Sequence, residues 1–300
     1  MTTYYSIRHT TSFTYDAPIH ESFLEVRSQP RSEGDQRCLM FVLKVSPKAR
    51  ILSYSDFLGN RVHHFDIPGA HDELNIVAEA TVEVDRTVDI PESLPLSAWA
   101  ALARRVEEGD FVELLMPSTV AQPTPLLLSL MREMKLDRSS DPLTMIHRAN
   151  RQLGKHIKYA EGVTKPESPI DTALKARAGV GQDFVHIFIA MIRQLGIPCR
   201  YVSGYRYAPS GSTPDGLQKT HAWAEALLPE LGWVGFDPAI GVVVDECYIR
   251  SAIGRDYADI PPTRGVYKGE ASSQIAFSVS VTPTREPSPE ELTPGLPVQE

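Results

Sequence analysis

The fold is decided by residues 177–205, RAGVGQDFVHIFIAMIRQLGIPCRYVSGY, in which a glycine-flanked polar turn runs into an apolar segment. Apolar side chains recur there at the spacing of a helix that is buried on a broad face: Phe184, Ile187, Phe188, Met191, Ile192 and Leu195. We expect this helix to begin near Gly181, where backbone N–H groups are unpaired and the helix dipole is positive. A thiol at such a position has a lowered pKa, and the free N–H groups can stabilise an oxyanion. Position 181 is nevertheless glycine, which has no side chain to react.

A second stretch, residues 221–238 (HAWAEALLPELGWVGFDP), is typical of a two-stranded hairpin. With residues 228–230 as the loop, the predicted register places His221 directly opposite Asp237. The carboxylate can then accept a hydrogen bond from one imidazole nitrogen and leave the other free to act as a base. The alternative is that His221 is an ordinary half-buried histidine and that Asp237 belongs to a strand-ending turn. The predicted pairing also depends on the register, since a slip of one residue would separate the two side chains.

The rest of the chain divides by its pattern of hydrophobicity. Residues 1–90 alternate in short runs, which predicts strands arranged as an antiparallel sandwich or an open barrel. Residues 91–124 mix prolines with one helical segment and are interpreted as a connector. Residues 125–282 contain helices followed by strands and form a second domain. The Pro- and Glu-rich tail, residues 283–300, is predicted to be disordered.

Four motifs together carry a resemblance to a known family. They are GVGQDFVH from Gly179, GIPCRYVSGY from Gly196, HAWAE from His221 and GWVGFDP from Gly232. With them the chain resembles the transglutaminase-like superfamily, of the bacterial type with a β-rich transglutaminase N-terminal region, over about residues 1–282. The resemblance implies an α+β fold: a β-sandwich-like N-terminal domain, then a papain-like transglutaminase core with helices packed on an antiparallel sheet.

The resemblance also implies roles for single positions. Position 181 corresponds to the catalytic cysteine of the family, His221 to the general base and Asp237 to its orienting partner. The backbone N–H of Gly181 would contribute to the oxyanion hole. Gln182 and Trp223 are candidates for the oxyanion hole and the wall of the site, with helix capping and core packing as their alternative roles.

Two departures from the family pattern bear on activity. Without a thiolate at Gly181 no acyl-enzyme can form, and loss of the nucleophile alone removes nearly all the covalent rate. Family members also usually carry a histidine just before the Ile-Arg pair at 249–250, where this chain has Cys247 and Tyr248. A relocated nucleophile is disfavoured, since Cys199 is expected at the far end of the helix from position 181.

Composition narrows the classes of partner and location. The net charge of −8 argues against nucleic acid, and no apolar run approaches the length of a membrane span. The N-terminus lacks the hydrophobic core of a signal peptide, so a cytoplasmic protein is expected. Neither a metal nor a cofactor is expected, because the neighbouring His63 and His64 would point to opposite faces of a strand.

Two functional classes stay open. One is an amide-processing protein of the Cys-His-Asp type that is inactive because position 181 is glycine. The other is a non-catalytic module that binds a peptide or protein in the former active-site groove. Metal-assisted hydrolysis through His221 and Asp237 ranks below both, since no third ligand stands at a suitable spacing.

Overall fold

The computed structural model describes residues 2–86, 89–109, 111–209, 220–288 and 290–291. It confirms the predicted α+β class, with antiparallel sheets at both ends of the chain and helices between them. Among the described residues, no helix is both long and apolar enough to cross a membrane. The cytoplasmic location stays a prediction.

The first part of the chain is strand only, as the alternating pattern predicted. Its strands are β1 (Thr3–Ile19), β2 (Glu21–Val26), β3 (Gln36–Ser46), β4 (Leu52–Ser55), β5 (Arg61–Ile67) and β6 (His71–Val84). They lie in two sheets that enclose a common apolar core. The core side chains are Tyr15, Ile19, Leu24, Val26, Phe65, Ile67, Leu74 and Ile76.

Helices follow from residue 98 onward. They are α1 (Ala98–Glu108), α2 (Val112–Leu115), α3 (Pro125–Glu133), α4 (Pro142–His156), α5 (Ile170–Ala176) and α6 (Gly181–Gln194), with the short parallel strands β7 (Lys158–Tyr159) and β8 (Ala178–Gly179) between them. Helix α4 begins after Asp141, whose side chain accepts a hydrogen bond from the backbone N–H of Thr144 at 3.0 Å. Such a cap satisfies a backbone donor that the helix itself leaves unpaired.

After the helices, the chain forms a five-stranded antiparallel sheet. Its strands are β9 (Cys199–Arg206), β10 (Thr220–Leu228), β11 (Gly232–Asp237), β12 (Val242–Val243) and β13 (Tyr248–Gly254), in the order β12-β11-β10-β9-β13. Helix α6 packs against β9 and β10, and its buried face meets Tyr201, Ala224 and Phe236 in one apolar cluster. This packing fixes the start of α6 relative to the strands that carry His221 and Asp237.

The chain then returns to the N-terminal sheets. Strands β14 (Thr263–Lys268) and β15 (Ser273–Thr284) complete sheets of order β14-β2-β5-β4 and β15-β1-β6-β3. The sequence did not indicate this return, and the domain boundaries themselves stay a prediction. Residues 283 and 284 of the predicted tail belong to β15, whereas residues 289 and 292–300 lie outside the described residues.

Two amide side chains join the N-terminal domain to the free edge of β13. Gln36 donates to the Arg250 carbonyl at 2.9 Å and accepts from the Arg250 N–H at 2.7 Å. Asn60 bonds in the same reciprocal way to the backbone of Ile253, at 2.8 Å in both directions. The edge of β13 is thereby covered, which removes an unpaired row of backbone groups and fixes one domain against the other.

Candidate functional site

The start of α6 is held by a buried carboxylate. Asp183 accepts hydrogen bonds through Oδ2 from the Val180 N–H at 2.8 Å and from the Thr164 hydroxyl at 2.5 Å. A Cβ at Gly179 would stand 2.6 Å from the same oxygen, so that position requires glycine. Burial raises the pKa of the Asp183 carboxyl. The turn before α6 is therefore a fixed structure whose glycine and aspartate depend on each other.

Gly181, by contrast, has room for a side chain. It is the first residue of α6 and is half-buried, with its backbone outside the left-handed region. A Cβ built there has no heavy atom of the described residues within 4 Å, apart from its chain neighbours. Position 181 thus accepts a side chain without displacing its surroundings, but the structure gives it no direct contact with His221.

The predicted pair of His221 and Asp237 is present. His221 Nε2 lies 2.6 Å from Asp237 Oδ2, and the side chain of Asp237 is completely buried while that of His221 is 26% exposed. Asp237 Oδ1 accepts a further hydrogen bond from the Ala239 N–H at 3.1 Å. With Nε2 held by the carboxylate, Nδ1 is the imidazole nitrogen left to act on a ligand.

The predicted register behind this pair is wrong by two residues. Glu225 pairs with Gly235, so Asp237 lies opposite Trp223, and His221 reaches it diagonally. The turn sits one residue later than predicted, at residues 229–231, because Glu230 and Gly232 adopt positive φ angles of 65° and 71°. Moving a turn by one residue shifts the pairing by two, which keeps every side chain on its predicted face.

Tyr248 is the site residue that the sequence analysis missed. Its hydroxyl donates to Asp237 Oδ2 at 2.9 Å, and its ring centroid lies 5.8 Å from that of His221. Burial, and then the charge of Asp237, raise the pKa of the Tyr248 hydroxyl. The departure from the family pattern noted at 247–248 was the available signal, since one of these two residues bonds to Asp237.

Trp223 lies behind this group rather than at its surface. It is fully buried, and its ring meets that of Tyr248 edge-on at 5.3 Å between centroids. Gln182 is half-buried, one residue after the start of α6. The roles of Gln182 in the oxyanion hole and of Trp223 in the wall of the site stay predictions.

The three native thiols lack the properties of an activated nucleophile. Burial raises the pKa of Cys199 to about 12 and that of Cys38 to about 11. Cys247 is half-buried, and its pKa is raised by burial and by the neighbouring Asp245. Burial thus disfavours the thiolate, which is the reactive form, at each of these three cysteines.

The remaining histidines of interest are packed in the protein interior or against rings. His186 is buried in α6, accepts a hydrogen bond through Nε2 from the Tyr257 N–H at 3.2 Å, and has its pKa lowered by burial to about 4. His63 and His64 lie against Phe41 and Phe23 respectively. Within the described part of the chain, no group of three or more potential ligands is placed to hold a metal ion.

Comparisons with known proteins agree with this architecture. The sequence model of the bacterial transglutaminase-like N-terminal region matches residues 5–83, and that of the transglutaminase-like superfamily matches residues 131–238. An uncharacterized protein of Mycobacterium leprae is 31% identical over 278 residues, covering 91% of this chain and 96% of its own. An uncharacterized protein of Mycobacterium tuberculosis is 31% identical over 307 residues, covering 93% and 92%.

One solved structure shares the whole fold. A candidate cysteine protease from Cytophaga hutchinsonii matches with a TM-score of 0.76 over 96% of this chain and 93% of its own, at 22% identity. This likeness supports the predicted arrangement of a β-rich domain followed by a papain-like core.

Proposed function

The chain belongs to the transglutaminase-like superfamily, and from this premise we propose that it binds a peptide amide at its former active site without processing it. The proposed site combines the start of α6 with the His221–Asp237 pair, two positions that the family resemblance assigns to one active site. Its ligand is a peptide or a protein segment. The acidic net charge supports a partner that is neither nucleic acid nor an anionic membrane surface.

One observation carries the proposal: the His221–Asp237 pair is intact, whereas the first residue of α6 has no side chain. In an amide-processing enzyme of this type, the cysteine sulfur attacks the amide carbon, the oxygen becomes an oxyanion, and the histidine returns a proton to the leaving amine. Here the base and its orienting carboxylate are present, but the bond to the amide carbon cannot form.

The Gly181 and Gln182 N–H groups precede the first hydrogen bonds of α6, which the Asp183 and Phe184 N–H groups donate to Val180, and we propose them as donors to an amide carbonyl. They can hold its oxygen as a ligand atom while the Nδ1 atom of His221 accepts a hydrogen bond from a nearby N–H. Loss of the nucleophile costs such enzymes roughly six orders of magnitude in rate. We therefore expect retention of a peptide without turnover.

The alternative is an amide-processing scaffold that differs from a working one at position 181 alone. The open space at Gly181 and the three hydrogen bonds that hold Asp237 support it. Both proposals expect no turnover by the chain with glycine at position 181, and they differ in whether a cysteine introduced there would react.

The test is the pH dependence of alkylation by iodoacetamide in a Gly181→Cys variant, with the native protein as background for its three thiols. We expect the introduced thiol to react with a pKa well below the ordinary value of about 8.5, and Asp237→Asn in the same variant to move it back toward that value. An ordinary thiol pKa in Gly181→Cys would contradict the expectation that the His221–Asp237 pair can still act as the base for a thiol at position 181.

Binding itself is measured with a fluorescein-labelled peptide that contains Gln-Gly. The native chain is expected to retain the peptide unchanged, and mass spectrometry should find neither deamidation nor cleavage. Turnover by the native chain would overturn the proposal, and so would the absence of any binding.

A further inference from the structure

Arg206 projects from the sheet beside the proposed site. It is the last residue of β9 and pairs directly with Tyr248 of β13. On the same sheet His221 pairs with Gly204 of β9, two residues before Arg206. Because side chains two residues apart on a strand share a face, Arg206, Tyr248 and His221 lie on one face. The Arg206 guanidinium carbon stands 5.5 Å from the centroid of the Tyr248 ring.

Among the described residues, Arg206 differs from the other arginines of this face in having no anionic partner. Arg200 pairs with Glu225 at 2.6 Å, and Arg250 pairs with Asp35 and with Glu225. The Arg206 guanidinium forms no hydrogen bond or ion pair with the described residues, and its Nε is buried without a partner.

The carboxylates that act on Tyr248 are Asp237 and Asp245, and both accept hydrogen bonds from groups other than Arg206. Asp245 contributes to the raised pKa of Tyr248, yet its Oδ1 accepts a hydrogen bond from the Cys247 N–H. An unpaired guanidinium that stacks on a tyrosine is unusual in a chain of net charge −8, where carboxylates are abundant. Its free donors are suited to a planar anion that arrives from outside.

We propose that Arg206 pairs with a carboxylate of the peptide held beside His221, so that the site prefers peptides with an anionic group near the bound amide. The proposal rests on the proposed function and adds the chemical class of the ligand. A single cation with a planar donor fork matches a single carboxylate, which an acidic side chain or a free peptide C-terminus can supply.

The first experiment compares iodoacetate with iodoacetamide as alkylating agents of the thiol in Gly181→Cys. The two reagents share a mechanism and differ in one carboxylate, so the ratio of their rates reports the attraction of an anion to the site. We expect Arg206→Gln in this variant to lower the ratio of iodoacetate to iodoacetamide rates by about fivefold, the scale of one nearby charge in a solvated setting. The effect should shrink in 1 M NaCl.

Two further variants separate this contact from general charge and from misfolding. Arg37→Gln removes the same charge from an exposed side chain of the N-terminal domain and should leave the ratio unchanged. Arg206→Lys keeps the charge and should retain most of the preference. An unchanged ratio in a folded Arg206→Gln variant would overturn the proposal, as would an equal decrease in Arg37→Gln.

The second experiment distinguishes the sources of the carboxylate. Three N-acetylated peptides with a central glutamine protect the introduced thiol from iodoacetamide: one with a neighbouring Glu and an amidated end, one neutral with a free C-terminus, and one neutral and amidated. We expect at least one anionic peptide to protect at about fivefold lower concentration than the neutral one, and to lose that advantage in Arg206→Gln. Equal protection by all three would refute the carboxylate preference.

The failure of this inference is distinguishable from failure of the proposed function. If the thiol of Gly181→Cys has a low pKa and the ratio of iodoacetate to iodoacetamide rates does not depend on Arg206, the proposed site stands and the preference for an anionic peptide is wrong. If the thiol has an ordinary pKa, the proposed site itself is contradicted.

Discussion

The two faces of the five-stranded sheet use the same strands for different purposes. Toward α6, β10 and β11 present Ala224, Ala226 and Phe236, which are fully buried in the largest apolar cluster. On the opposite face, the residues next to them in sequence are Glu225 and Asp237, both buried and both partnered. Under α6 the sheet therefore presents mainly apolar side chains, whereas the opposite face combines paired polar groups with buried apolar side chains such as Trp223 and Leu227.

The contrast teaches how a strand can carry a site without weakening the core. Because successive side chains point to opposite faces, Glu225 of β10 is flanked by Ala224 and Ala226, which pack under α6. The small alanines let the helix approach closely. The polar residues find partners on the sheet itself, Glu225 in Arg200 and Arg250, and Asp237 in His221 and Tyr248. A substitution on one face should therefore change stability or site geometry according to the partners of that face.

The largest expected effect is the loss of the buried charge at Glu225. This carboxylate is almost fully buried between Arg200, at 2.6 Å, and Arg250, at 3.4 Å. Glu225→Gln keeps the shape and removes the charge, which leaves two buried cations with less compensation. We expect a loss of about 3–5 kcal/mol in the free energy of unfolding, measured by urea denaturation.

Glu133→Gln is the matched control for that prediction. Glu133 forms an ion pair with Arg177 at 3.1 Å, but both side chains are more than 40% exposed. Exposed pairs contribute about 0–1 kcal/mol, so the control should be nearly neutral. Equal losses in the two variants would mean that burial of the polar face does not set the strength of its ion pairs.

The second prediction concerns a titratable group on the apolar side. Burial lowers the pKa of His186 in α6 to about 4, against about 6.5 in an unfolded chain. The unfolded state then binds more protons between these values, so the stability contribution is complete above pH 6.5 and falls as the pH is lowered to 4. His186→Gln should remove about 3 kcal/mol of the stability lost between pH 7 and pH 4.

The measurement is urea unfolding of both proteins across that pH range. Gln at 186 keeps an acceptor for the Tyr257 N–H that His186 now bonds. His9 and His63, whose pKa values burial also lowers to about 4, stay in both proteins, so only the difference between the two slopes reports His186. Parallel slopes would show that His186 is not the neutral, buried group described here.

The sequence predicted the faces of these strands better than their pairing. The period-two pattern placed His221 and Asp237 on one face of the sheet. This placement is correct although the predicted register was wrong by two residues, because a shift of two leaves each side chain on the same face. The helix start at Gly181 was predicted from the spacing of apolar side chains, because burial of α6 on a broad face determines that spacing. Both features depend on local periodicity, which a single sequence displays.

Long-range partners could not be predicted in the same way. Gln36 and Arg250 are 214 residues apart in sequence, and Arg200 and Glu33 are 167 apart. Nothing in the local pattern of either segment specifies its partner, since a polar residue in a strand is equally compatible with water. The bond from Tyr248 to Asp237 belongs to this class, although the residues are 11 apart, because a turn and strand β12 separate them.

The smallest expected effect sharpens the comparison at the site itself. Tyr248→Phe removes the hydroxyl that donates to Asp237 Oδ2, while the carboxylate keeps its bonds to His221 and to the Ala239 N–H. We expect a loss of about 1.5 kcal/mol in unfolding free energy, the lower end for a hydrogen bond to a charged group. The nitrogen chemical shifts of His221 should still report a proton on Nε2, because Asp237 continues to accept it.

Tyr54→Phe supplies the same chemical change at the surface. Tyr54 donates to Glu25 at 2.9 Å, but its side chain is 42% exposed and water can replace the bond. That variant should lose less than about 0.5 kcal/mol. If the two variants lose the same stability, the Asp237 carboxylate does not depend on Tyr248. If His221 instead changes its tautomer in Tyr248→Phe, then Tyr248 orients the Asp237 carboxylate and, through it, the imidazole of His221.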